Sequence, residues 1–326
     1  MIKTTVVIPN YNGIDYLENC LRSVLTSDVK IKVTVVDNGS KDGSKEIVKD
    51  KFPMVNLIEL DENTGFCHAC NMGIVSADTE YIFLLNNDTT IRSDTISKLE
   101  NALDDDKEAF CVQAKMMRMS DPRYIDSAGD FYCALGWAFA NGKDVNPSNS
   151  DAFSHGIHKI TSGCGGATLY RKQIIDKIGM LDENHFAYLE DVDWGLRAYI
   201  YGYHNLVNYD SVVLHAGSGA SGSRYNEFKV KLSSKNSVYL IYKNMPVLMI
   251  ILNLPFILLG YLIKLAFFIT KGLGVTYFNG ILKGLDFCMT KEAKSHKIRF
   301  VPGRIGRYIS FEIMLLVNVL RRIGEV

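Results

Sequence analysis

The sequence predicts an α/β fold, a mainly parallel sheet flanked by helices, followed by a helical C-terminal region. The first indication is that short β-branched runs alternate with helical patterns over residues 4–116, as in consecutive βαβ units. The second is the distribution of charge. Residues 1–228 carry 21 basic and 32 acidic residues, a balance of −11, whereas residues 229–326 carry 15 and 4, a balance of +11. We therefore expect an acidic globular domain at 1–228 and a basic, apolar helical region at 229–326.

The individual elements follow from local patterns. Each predicted strand is an apolar run of five to seven residues, and the stretches between them repeat apolar residues at helical spacing. The strands are expected at 4–8, 32–36, 55–60, 81–85 and 110–116, and the helices at 15–25, 44–51, 65–76 and 94–103. Residues 120–158 are irregular and predict an inserted loop or hairpin. Beyond them, regular structure returns at 160–170, with helices at 171–178 and 189–201 and a short strand at 211–214.

Composition excludes several classes of protein. With 47% hydrophobic and 22% charged residues, the chain can bury a sizeable core, so general disorder is excluded. A formal net charge of zero argues against a protein that coats nucleic acid, and no nucleic-acid partner is expected. The seven cysteines form no paired framework, which favours reduced thiols in the cytosol. The N-terminus runs directly into a strand pattern, so we expect no signal peptide.

The C-terminal region has the composition of a membrane-binding segment. Residues 245–270 contain one charged residue, Lys264, and are long enough to cross a bilayer, but Pro255 and Gly260 interrupt them. A second apolar stretch, 309–320, is too short to span. Lysine and arginine residues flank both stretches, as in helices that lie on an anionic leaflet. We expect monotopic association. The alternatives are a true span or re-entrant hairpin, and an oligomer interface through which the chain forms homo-oligomers.

Polar segments follow three of the predicted strands, at 9–13, 37–40 and 86–88. The carboxyl ends of parallel strands meet at one edge of a sheet, where ligands bind in such folds, so these segments should share one crevice. Asp37 can accept the imide N–H of a uracil or thymine ring, or it can cap a turn. Asp88 can hold a divalent cation that in turn binds a diphosphate, or it can cap the next helix.

His215 and an acidic segment are the other candidates for chemistry. His215 ends the strand at 211–214, and its imidazole suits Mn²⁺ better than Mg²⁺; the alternative is a structural histidine. Residues 190–193 hold three carboxylates beside Tyr188 and Trp194. A carboxylate there can take a proton from an acceptor hydroxyl, although acidic residues also favour a helix N-terminus. Glycines at 163–166 allow close backbone approach to a ligand, and we expect a mobile Gly/Ser loop at 217–222 that closes over a diphosphate.

Together these segments resemble the family 2 glycosyltransferases, inverting enzymes with the GT-A fold. The resemblance covers roughly residues 1–225, and the segments occur in the order expected of the family. The matching segments are Val-Val-Ile-Pro-Asn-Tyr-Asn-Gly (6–13), Val-Val-Asp-Asn-Gly-Ser (35–40), Asn-Thr-Gly-Phe (63–66), Leu-Leu-Asn-Asn-Asp (84–88) and Tyr-Leu-Glu-Asp-Val-Asp-Trp (188–194). Asp-Ser-Ala-Gly-Asp-Phe-Tyr (126–132) and Gly-Trp-Ala-Phe-Ala (136–140) resemble the rhamnosyltransferase-like branch.

The resemblance implies a role for each matching residue. It places the base and ribose on Pro9, Asn10, Tyr11, Asp37 and Asn38, and the ribose and diphosphate near Asn71, Asn86 and Asn87. It implies that Asp88 binds the metal, that Asp191 is the catalytic base, and that Gly165, Gly166, Glu190 and Trp194 border the sugar and acceptor. The family's Asp-x-Asp motif reads Asn86-Asn87-Asp88 here, so its first carboxylate is missing. His215 becomes correspondingly more important as a second metal ligand.

The implied activity is transfer of a sugar with inversion at its anomeric carbon. The resemblance favours L-rhamnose from dTDP-rhamnose, with a UDP-hexose or UDP-N-acetylhexosamine as the alternative donor. It implies Mg²⁺ or Mn²⁺, a lipid-linked or saccharide acceptor of cell-surface polysaccharide synthesis, and the cytoplasmic face of the membrane. A catalytically silent sugar-binding protein of this fold is one rival. A processive polysaccharide synthase is another, but the Gln-x-x-Arg-Trp motif usual in such synthases is absent from the sequence.

Overall fold

A mixed β-sheet flanked by helices forms the centre of the molecule. The computed structural model describes residues 1–149, 151–217 and 225–324. The strands in these residues are β1 (Thr4–Asn10), β2 (Ile31–Asn38), β3 (Asn56–Leu60), β4 (Tyr81–Leu85), β5 (Thr89–Ile91), β6 (Ala109–Arg118), β7 (Ile125–Ser127), β8 (Asp130–Cys133), β9 (Trp137–Ala140), β10 (Ile157–Ile160), β11 (Ala167–Arg171) and β12 (His204–His215). The helices are α1 (Leu17–Val24), α2 (Ser44–Lys51), α3 (Phe66–Ser76), α4 (Thr95–Asp105), α5 (Lys172–Ile178), α6 (Glu190–Tyr201), α7 (Glu227–Asn244), α8 (Val247–Thr270), α9 (Gly274–Cys288), α10 (Lys291–His296) and α11 (Ile305–Gly324). The Gly/Ser loop expected at 217–222 lies almost entirely outside the described residues.

The sheet confirms the predicted α/β class, but its second half contains both parallel and antiparallel strands. Its order is β10-β12-β6-β11-β4-β1-β2-β3, with β5 and β7 paired to β12 and β6. Strands β1 to β4 run parallel, as expected from their βαβ links. Strand β11, however, lies antiparallel between β4 and β6. A local apolar pattern carries no information about strand direction, which is why the sequence predicted a mainly parallel sheet.

Strand β12 is three times longer than the four-residue strand that the sequence predicted. The first half of the strand contains polar residues, so it shows no apolar run, but these residues are buried within the sheet. Asn205 donates hydrogen bonds to the carbonyl oxygens of Thr161 and Gly195, at 2.6 and 3.1 Å. Because its amide is satisfied inside the protein, the strand begins at His204 instead of at Ser211, and it carries His215 to the carboxyl edge of the sheet.

Apolar clusters cover both faces of the sheet. One packs α1 and α4 against the strands, and the other packs α3, α5 and α6 against the opposite face. Cys67 and Cys70 lie in the second cluster with no exposed surface. Burial raises the pKa of both thiols well above the usual value, so they are neutral packing residues. All seven cysteines are free thiols in the structure.

The boundary predicted at residue 228 is not a break in packing. Helix α7 begins at Glu227 and lies against the segment that precedes α6. Asn236 donates hydrogen bonds from its amide to three carbonyl oxygens of that segment, those of residues 185, 187 and 188, at 2.8 to 2.9 Å. Farther on, α11 returns to β8, where Asn318 donates to the carbonyl oxygen of Tyr132 at 2.9 Å. The C-terminal helices are therefore built onto the domain that precedes them.

Helix α8 is continuous through Pro255 and exposes most of its apolar side chains. Among the described residues it alone is long and apolar enough to cross a bilayer, and 22% of its most apolar window is buried. The contact between α8 and the domain forms at Gly260. Its carbonyl oxygen accepts a hydrogen bond from the Trp137 indole at 3.1 Å, and a Cβ atom there would lie 2.1 Å from the Leu135 carbonyl oxygen. Glycine permits this close approach.

Candidate active site

A crevice of about 1080 Å³ opens at the carboxyl edge of the sheet. Residues from the ends of β1, β4 and β12 line it together with the first turn of α6, so the predicted convergence of polar segments is observed. The sequence-predicted residues that line it are Pro9, Asn10, Tyr11, Asn38, Asn86, Asn87, Asp88, Gly165, Gly166, Glu190, Asp191 and His215. Helix α7 also contributes to the wall, through Glu227, Phe228, Lys229 and Ser233.

A hydrogen-bonded chain connects the ends of β4, β1 and β2. The amide of Asn87 donates to Asn10 Oδ1 at 2.7 Å, and Asn10 Nδ2 donates to Asp37 Oδ2 at 2.9 Å. Gly13 makes room for this chain, since a Cβ atom on it would lie 2.0 Å from Asn87 Nδ2 and 2.4 Å from Asn10 Oδ1. The segment 9–13 therefore presents Pro9 and Tyr11 to the crevice on a floor fixed by buried amides.

Asp37 is below this floor and does not line the crevice. Its carboxylate is fully buried, with one oxygen bonded to Asn10 and the other accepting the Ser40 backbone N–H at 2.9 Å. This arrangement agrees with the alternative prediction, in which Asp37 caps a turn. Asn38 does reach the crevice, and its amide nitrogen donates to Asn63 Oδ1 and to the Gly65 carbonyl oxygen at 3.1 and 3.2 Å.

Asp88 and His215 lie side by side, as a shared metal site requires. His215 Nε2 is 3.3 Å from Asp88 Oδ1, and His215 Nδ1 is 2.7 Å from Asp126 Oδ2. Burial lowers the pKa of His215, but hydrogen bonds to Asp126 and Asp88 outweigh that effect and raise the pKa to about 9. Asp126 in turn has a pKa below its usual range: burial raises it, but the bonds to His215 and Lys143 prevail.

These residues fit a divalent cation. A carboxylate oxygen and an imidazole nitrogen point at the same space, and the second imidazole nitrogen is held by Asp126. Histidine ligands in metal sites characteristically give their other ring nitrogen to a carboxylate in this way, which fixes the ring orientation. A cation would replace the proton that His215 Nε2 shares with Asp88, since metal binding requires the neutral imidazole.

Asp191 and Glu190 occupy the first turn of α6 and line the crevice. Asp191 Oδ1 accepts the backbone N–H of Val192 at 2.8 Å. Burial raises the pKa of the Asp191 carboxyl. Burial, and then the charge of Asp191, raise the pKa of Glu190 well above its usual value. Two neighbouring carboxyl groups with raised pKa values are suited to acid–base work near neutral pH.

The backbone before α6 is strained and held in place by α7. Phe186, Tyr188 and Leu189 all have positive φ angles, of 63°, 70° and 68°, which side chains other than glycine rarely adopt. The carbonyl groups of this segment are those that Asn236 bonds, so α7 stabilises the conformation. Such strain persists only where the surroundings enforce it, and it concentrates at functional sites. Here it fixes the start of α6 and hence Asp191.

Besides Asp37, two predicted site residues lie outside the crevice, Asn71 and Trp194. Trp194 is fully buried, stacks within 5.2 Å of Phe110 and Tyr170, and donates from its indole to the Gly179 carbonyl oxygen. It sits three residues beyond Asp191, on the core side of α6, so the expectation that it borders the sugar was wrong. Asn71 bonds the Leu181 backbone and Glu183 Oε1, and thus ties α3 to the segment before α6.

Asp193, the third carboxylate of the acidic segment, is paired with side chains of α6 and α7. Its oxygens accept hydrogen bonds from Arg197, Lys243 and Asn244, at 2.8 to 2.9 Å. Burial raises its pKa, but the two cations prevail and leave the pKa far below its usual range. Asp193 therefore anchors α6 to α7 and is not available as a base.

Sequence reasoning missed two carboxylates, Asp126 and Asp130, from the irregular segment after β6. Asp126 contacts His215, and Asp130 lines the crevice near Asp191. The signal was the Asp-Ser-Ala-Gly-Asp run, which resembles the rhamnosyltransferase-like branch but suggested no role for its carboxylates. Their positions depend on β7 pairing with β6 and on the β8–β9 hairpin lining the crevice, which the local pattern does not specify.

A family model for "Glycosyl transferase family 2" matches residues 5–179, which is more than half of the chain. The chain belongs to this family. The match includes the segments that carry Asn10, Asp37 and Asp88, and it ends before Asp191. The roles of the residues beyond it depend on the geometry described above.

Curated relatives of this chain include proteins named as glycosyltransferases, and some are named for the synthesis of teichoic acid, teichuronic acid or succinoglycan. A teichoic acid poly(glycerol phosphate) polymerase of Staphylococcus epidermidis is 32% identical over 102 residues, 30% of this chain and 14% of that protein. An N-acetylglucosaminyl-diphospho-decaprenol L-rhamnosyltransferase of Mycobacterium tuberculosis is 24% identical over 67% of this chain and 77% of that protein. The dTDP-rhamnosyl transferase RfbF of Shigella flexneri is 27% identical over 52% and 54%. The chain spans less than half the length of the first relatives it matches.

Solved structures confirm the GT-A fold. GalNAc-T7 with UDP, GalNAc and Mn²⁺ superposes with a TM-score of 0.60 at 15% identity, covering 74% of this chain and 48% of that one. The mannosyltransferase PcManGT from Pyrobaculum calidifontis, in complex with GDP-Man and Mn²⁺, gives 0.55 at 15% identity over 96% and 86%. At this identity the likeness describes the fold alone.

Proposed function

We propose that the chain is an inverting glycosyltransferase that moves a sugar from a nucleoside diphosphate donor to a lipid-linked or saccharide acceptor. The observation that carries the proposal is the composition of one crevice. It holds a candidate base, Asp191, and a candidate metal pair, Asp88 and His215, beside the polar segments that end β1 and β4. Asp191 offers a carboxylate that can accept a proton, and Asp88 and His215 offer an oxygen and a nitrogen ligand.

The nucleotide is proposed to lie over the ends of β1 and β2. Pro9, Tyr11 and Asn38 face the crevice there, and Tyr11 is 39% exposed, which leaves its ring free to contact a base. Asn10 and Asn87 lie beneath the ribose in this arrangement, with Asn86 and Asp88 next to the diphosphate. Asp37 acts through Asn10, whose amide it holds, instead of binding the base directly.

The charges of the crevice support a role for a divalent cation. Among the described residues that line it are the carboxyl groups of Asp88, Asp130, Glu190, Asp191 and Glu227, against one lysine and one histidine. A diphosphate next to the Asp88 carboxylate would be repelled unless a cation lay between them. Mg²⁺ or Mn²⁺ held by Asp88 and His215 would supply that charge and stabilise the departing diphosphate.

The proposed reaction is a single displacement. Asp191 accepts the proton of the acceptor hydroxyl as the hydroxyl oxygen attacks the anomeric carbon. The bond from that carbon to the nucleotide's phosphate oxygen breaks on the opposite face, and the configuration inverts. The raised pKa of Asp191 favours proton transfer, because a stronger base gains more from accepting the proton. Glu190, buried next to it, borders the sugar.

L-Rhamnose from a dTDP donor is the favoured sugar. Two relatives are named as rhamnosyltransferases, and one covers two thirds of this chain. A UDP-hexose or UDP-N-acetylhexosamine is the second candidate, since a solved structure with this fold holds UDP and GalNAc. The mechanism is the same for both.

An acceptor on a membrane is supported by the surface of the C-terminal helices. Helices α8, α9 and α11 expose apolar side chains that include Leu248, Ile251, Leu252, Leu259, Leu262, Val275, Phe278, Leu282, Leu285, Ile309, Ile313, Leu316 and Leu320. Fifteen lysines and arginines follow residue 228, which favours an anionic leaflet. A cavity of about 590 Å³ between α7 and α9 shares Glu227 and Phe228 with the crevice and adds Lys231 and Lys283. We propose that the enzyme lies on the cytoplasmic face of the membrane, peripherally or monotopically.

The test is calorimetric binding of a panel of nucleotide sugars in the presence of Mn²⁺, with dTDP-rhamnose, UDP-glucose and UDP-N-acetylglucosamine as the first three. We expect one donor to bind, and Asp88→Ala and His215→Ala each to weaken its metal-dependent binding. Asp121→Asn, at a partly exposed carboxylate paired with Arg123, is the matched control and should bind as the wild type does. If no donor binds, or if both alanine variants keep full affinity, the proposed site is wrong.

A further inference from the structure

A second carboxyl group faces Asp191 in the crevice. One side-chain atom each of Asp130, Cys164 and Asp191 lies within 4.8 Å of the other two. Asp130 lines the crevice, and no hydrogen bond or ion pair to its carboxyl group occurs in the described part of the chain. An unpaired carboxyl group beside a candidate base requires a physical explanation.

The backbone fixes Asp130 in this position. Its N–H donates to the Ser162 carbonyl oxygen at 2.9 Å, and its own carbonyl oxygen accepts the N–H groups of Thr161 and Ser162 at 3.0 and 3.1 Å. The residue before it, Gly129, has a φ of 96° and packs against Ile160. Asp130 is therefore placed over α6 by the start of the β8–β9 hairpin, and its proximity to Asp191 does not depend on a flexible side chain alone.

The surroundings favour a shared proton over a shared metal ion. The third member of the cluster is a thiol, and burial, followed by the charges of Asp191 and Asp130, raises the pKa of Cys164 well above its usual value. A neutral thiol is a poor ligand for hard cations, which prefer oxygen. Two carboxylates this close do not both ionise readily, because their charges repel.

The charged groups around Asp130 shift its pKa in both directions. Burial and then Asp191 raise the pKa of Asp130, Lys143 lowers it, and Asp126 raises it, with a result of about 8. Glu190, adjacent to Asp191 on α6, is another carboxyl group whose own pKa is raised. The net effect is a raised pKa, which favours the protonated form of Asp130.

We propose that Asp130 is a positioning residue for Asp191: its protonated carboxyl group donates a hydrogen bond to the Asp191 carboxylate and fixes which oxygen meets the acceptor hydroxyl. The inference depends on the proposed function, in which Asp191 is the base. A separation within 4.8 Å closes to a hydrogen bond by a small side-chain rotation or through one water. During transfer, the acceptor proton moves to the free oxygen of Asp191, and the Asp130 proton stays where it is.

The test compares three substitutions in the full chain. Asp130→Asn keeps a donor and removes the ionisation, so kcat at pH 7 should remain within a few-fold of wild type. Asp130→Ala removes the donor, and kcat should fall by about 10- to 100-fold, the worth of a hydrogen bond to a charged group. Donor KM should be unchanged in both. Asp121→Asn is the control on the same irregular segment.

The pH profile separates positioning from a general structural role. Wild-type kcat should decline as the pH rises through about 8, because the donor is lost, and Asp130→Asn should not show this decline. Equal losses in the asparagine and alanine variants, or an unchanged profile in Asp130→Asn, would overturn the proposal.

A readout without substrate distinguishes this inference from the proposed function. Infrared difference spectra of wild type and Asp130→Asn at pH 7 should show the carbonyl stretch of one protonated carboxylic acid in the wild type only. If this band is absent, Asp130 is ionised, and the inference fails even if the enzyme transfers a sugar. Its presence in a protein that binds no nucleotide sugar would leave the proton pair intact and refute the proposed function instead.

Discussion

Replacing Lys243 by methionine should destabilise the whole fold, because Lys243 joins α7 to the catalytic domain at a buried point. Its Nζ lies 2.6 Å from Asp182 Oδ2 and 2.9 Å from Asp193 Oδ2. The side chains of Lys243 and Asp182 are 4% exposed, and that of Asp193 is not exposed at all. The substitution removes the cation and leaves two buried carboxylates with reduced compensation.

The magnitude follows from the partners that remain. Removing one member of a buried ion pair costs about 3–5 kcal/mol. Asp193 retains Arg197 and Asn244, and Asp182 retains the Tyr239 hydroxyl, so we expect the lower end, about 3 kcal/mol in the free energy of unfolding. Urea denaturation followed by circular dichroism measures it. In an Asp182→Asn background the same substitution should cost less, because one carboxylate is already neutral.

Lys231→Met is the matched control, since this lysine lies on the exposed side of α7 and should change stability by less than about 0.5 kcal/mol. A loss below about 1 kcal/mol in Lys243→Met would refute the claim that α7 belongs to the folded catalytic unit. The same network implies that residues 1–228 alone lack essential partners, so membrane binding should be measured on the full chain.

Three further predictions concern the metal site, the membrane surface and the response to acid. Asp126→Asn should weaken Mn²⁺-dependent nucleotide binding by about 10- to 100-fold in calorimetry, because His215 loses the carboxylate that orients it; wild-type affinity would contradict the assignment. The full chain should sediment with anionic vesicles, and Leu252→Gln with Leu259→Gln, on the exposed face of α8, should reduce the bound fraction; an unchanged fraction would favour an oligomer interface. Burial lowers the pKa of His185 to about 4. As the pH falls, the unfolded chain protonates this histidine before the folded chain does. Burial of the neutral ring therefore costs no free energy of unfolding above about pH 6.5, and the free energy of unfolding falls by about 3 kcal/mol as the pH falls from there to about 4. His185→Leu should flatten that part of the curve of unfolding free energy against pH, and an unaltered slope would exclude His185 as the cause.

The sequence was sufficient to predict the first half of the fold and the place of the crevice. Strands β1 to β4 are apolar runs that end in polar residues, and parallel topology brings those ends together. Asp88 and His215 are 127 positions apart in the chain, yet both end strands of the same sheet, so strand-end position alone was enough to pair them.

Other features depended on tertiary contacts that local patterns do not encode. Trp194 was expected at the sugar because the family resemblance placed it there, but its ring is taken up by the core, where it packs against Phe110 and Tyr170. Asp193 shares a helix face with Glu190 in the pattern, yet its role is decided by Lys243 and Asn244 from α7. Asp37 matched the family motif and was still found below the crevice floor, because Asn10 takes up one of its oxygens.

The C-terminal region shows a related limit. The charge balance located a real change in composition near residue 228, and it predicted a separate membrane-associating region. Composition shows that a segment is apolar or basic, but it does not show which side chains of that segment pack against the rest of the protein. Asn236 and Lys243 face the catalytic domain, whereas Leu252 and Leu262 face outward. The same segment therefore completes the active-site wall and presents the proposed membrane surface.

The central claim is that Asp191 is the base for sugar transfer, and donor affinity and transfer rate of Asp191→Asn test it most directly. Asparagine keeps the size of the side chain but cannot accept the proton. Transfer should fall by about 10²- to 10⁴-fold, the usual worth of general-base catalysis, while donor affinity stays near wild type. Glu190→Gln, measured beside it, should lose less or act mainly on substrate binding. Transfer by Asp191→Asn at close to the wild-type rate would contradict the account and make Glu190 the next candidate, since Asp193 is already neutralised by Arg197 and Lys243.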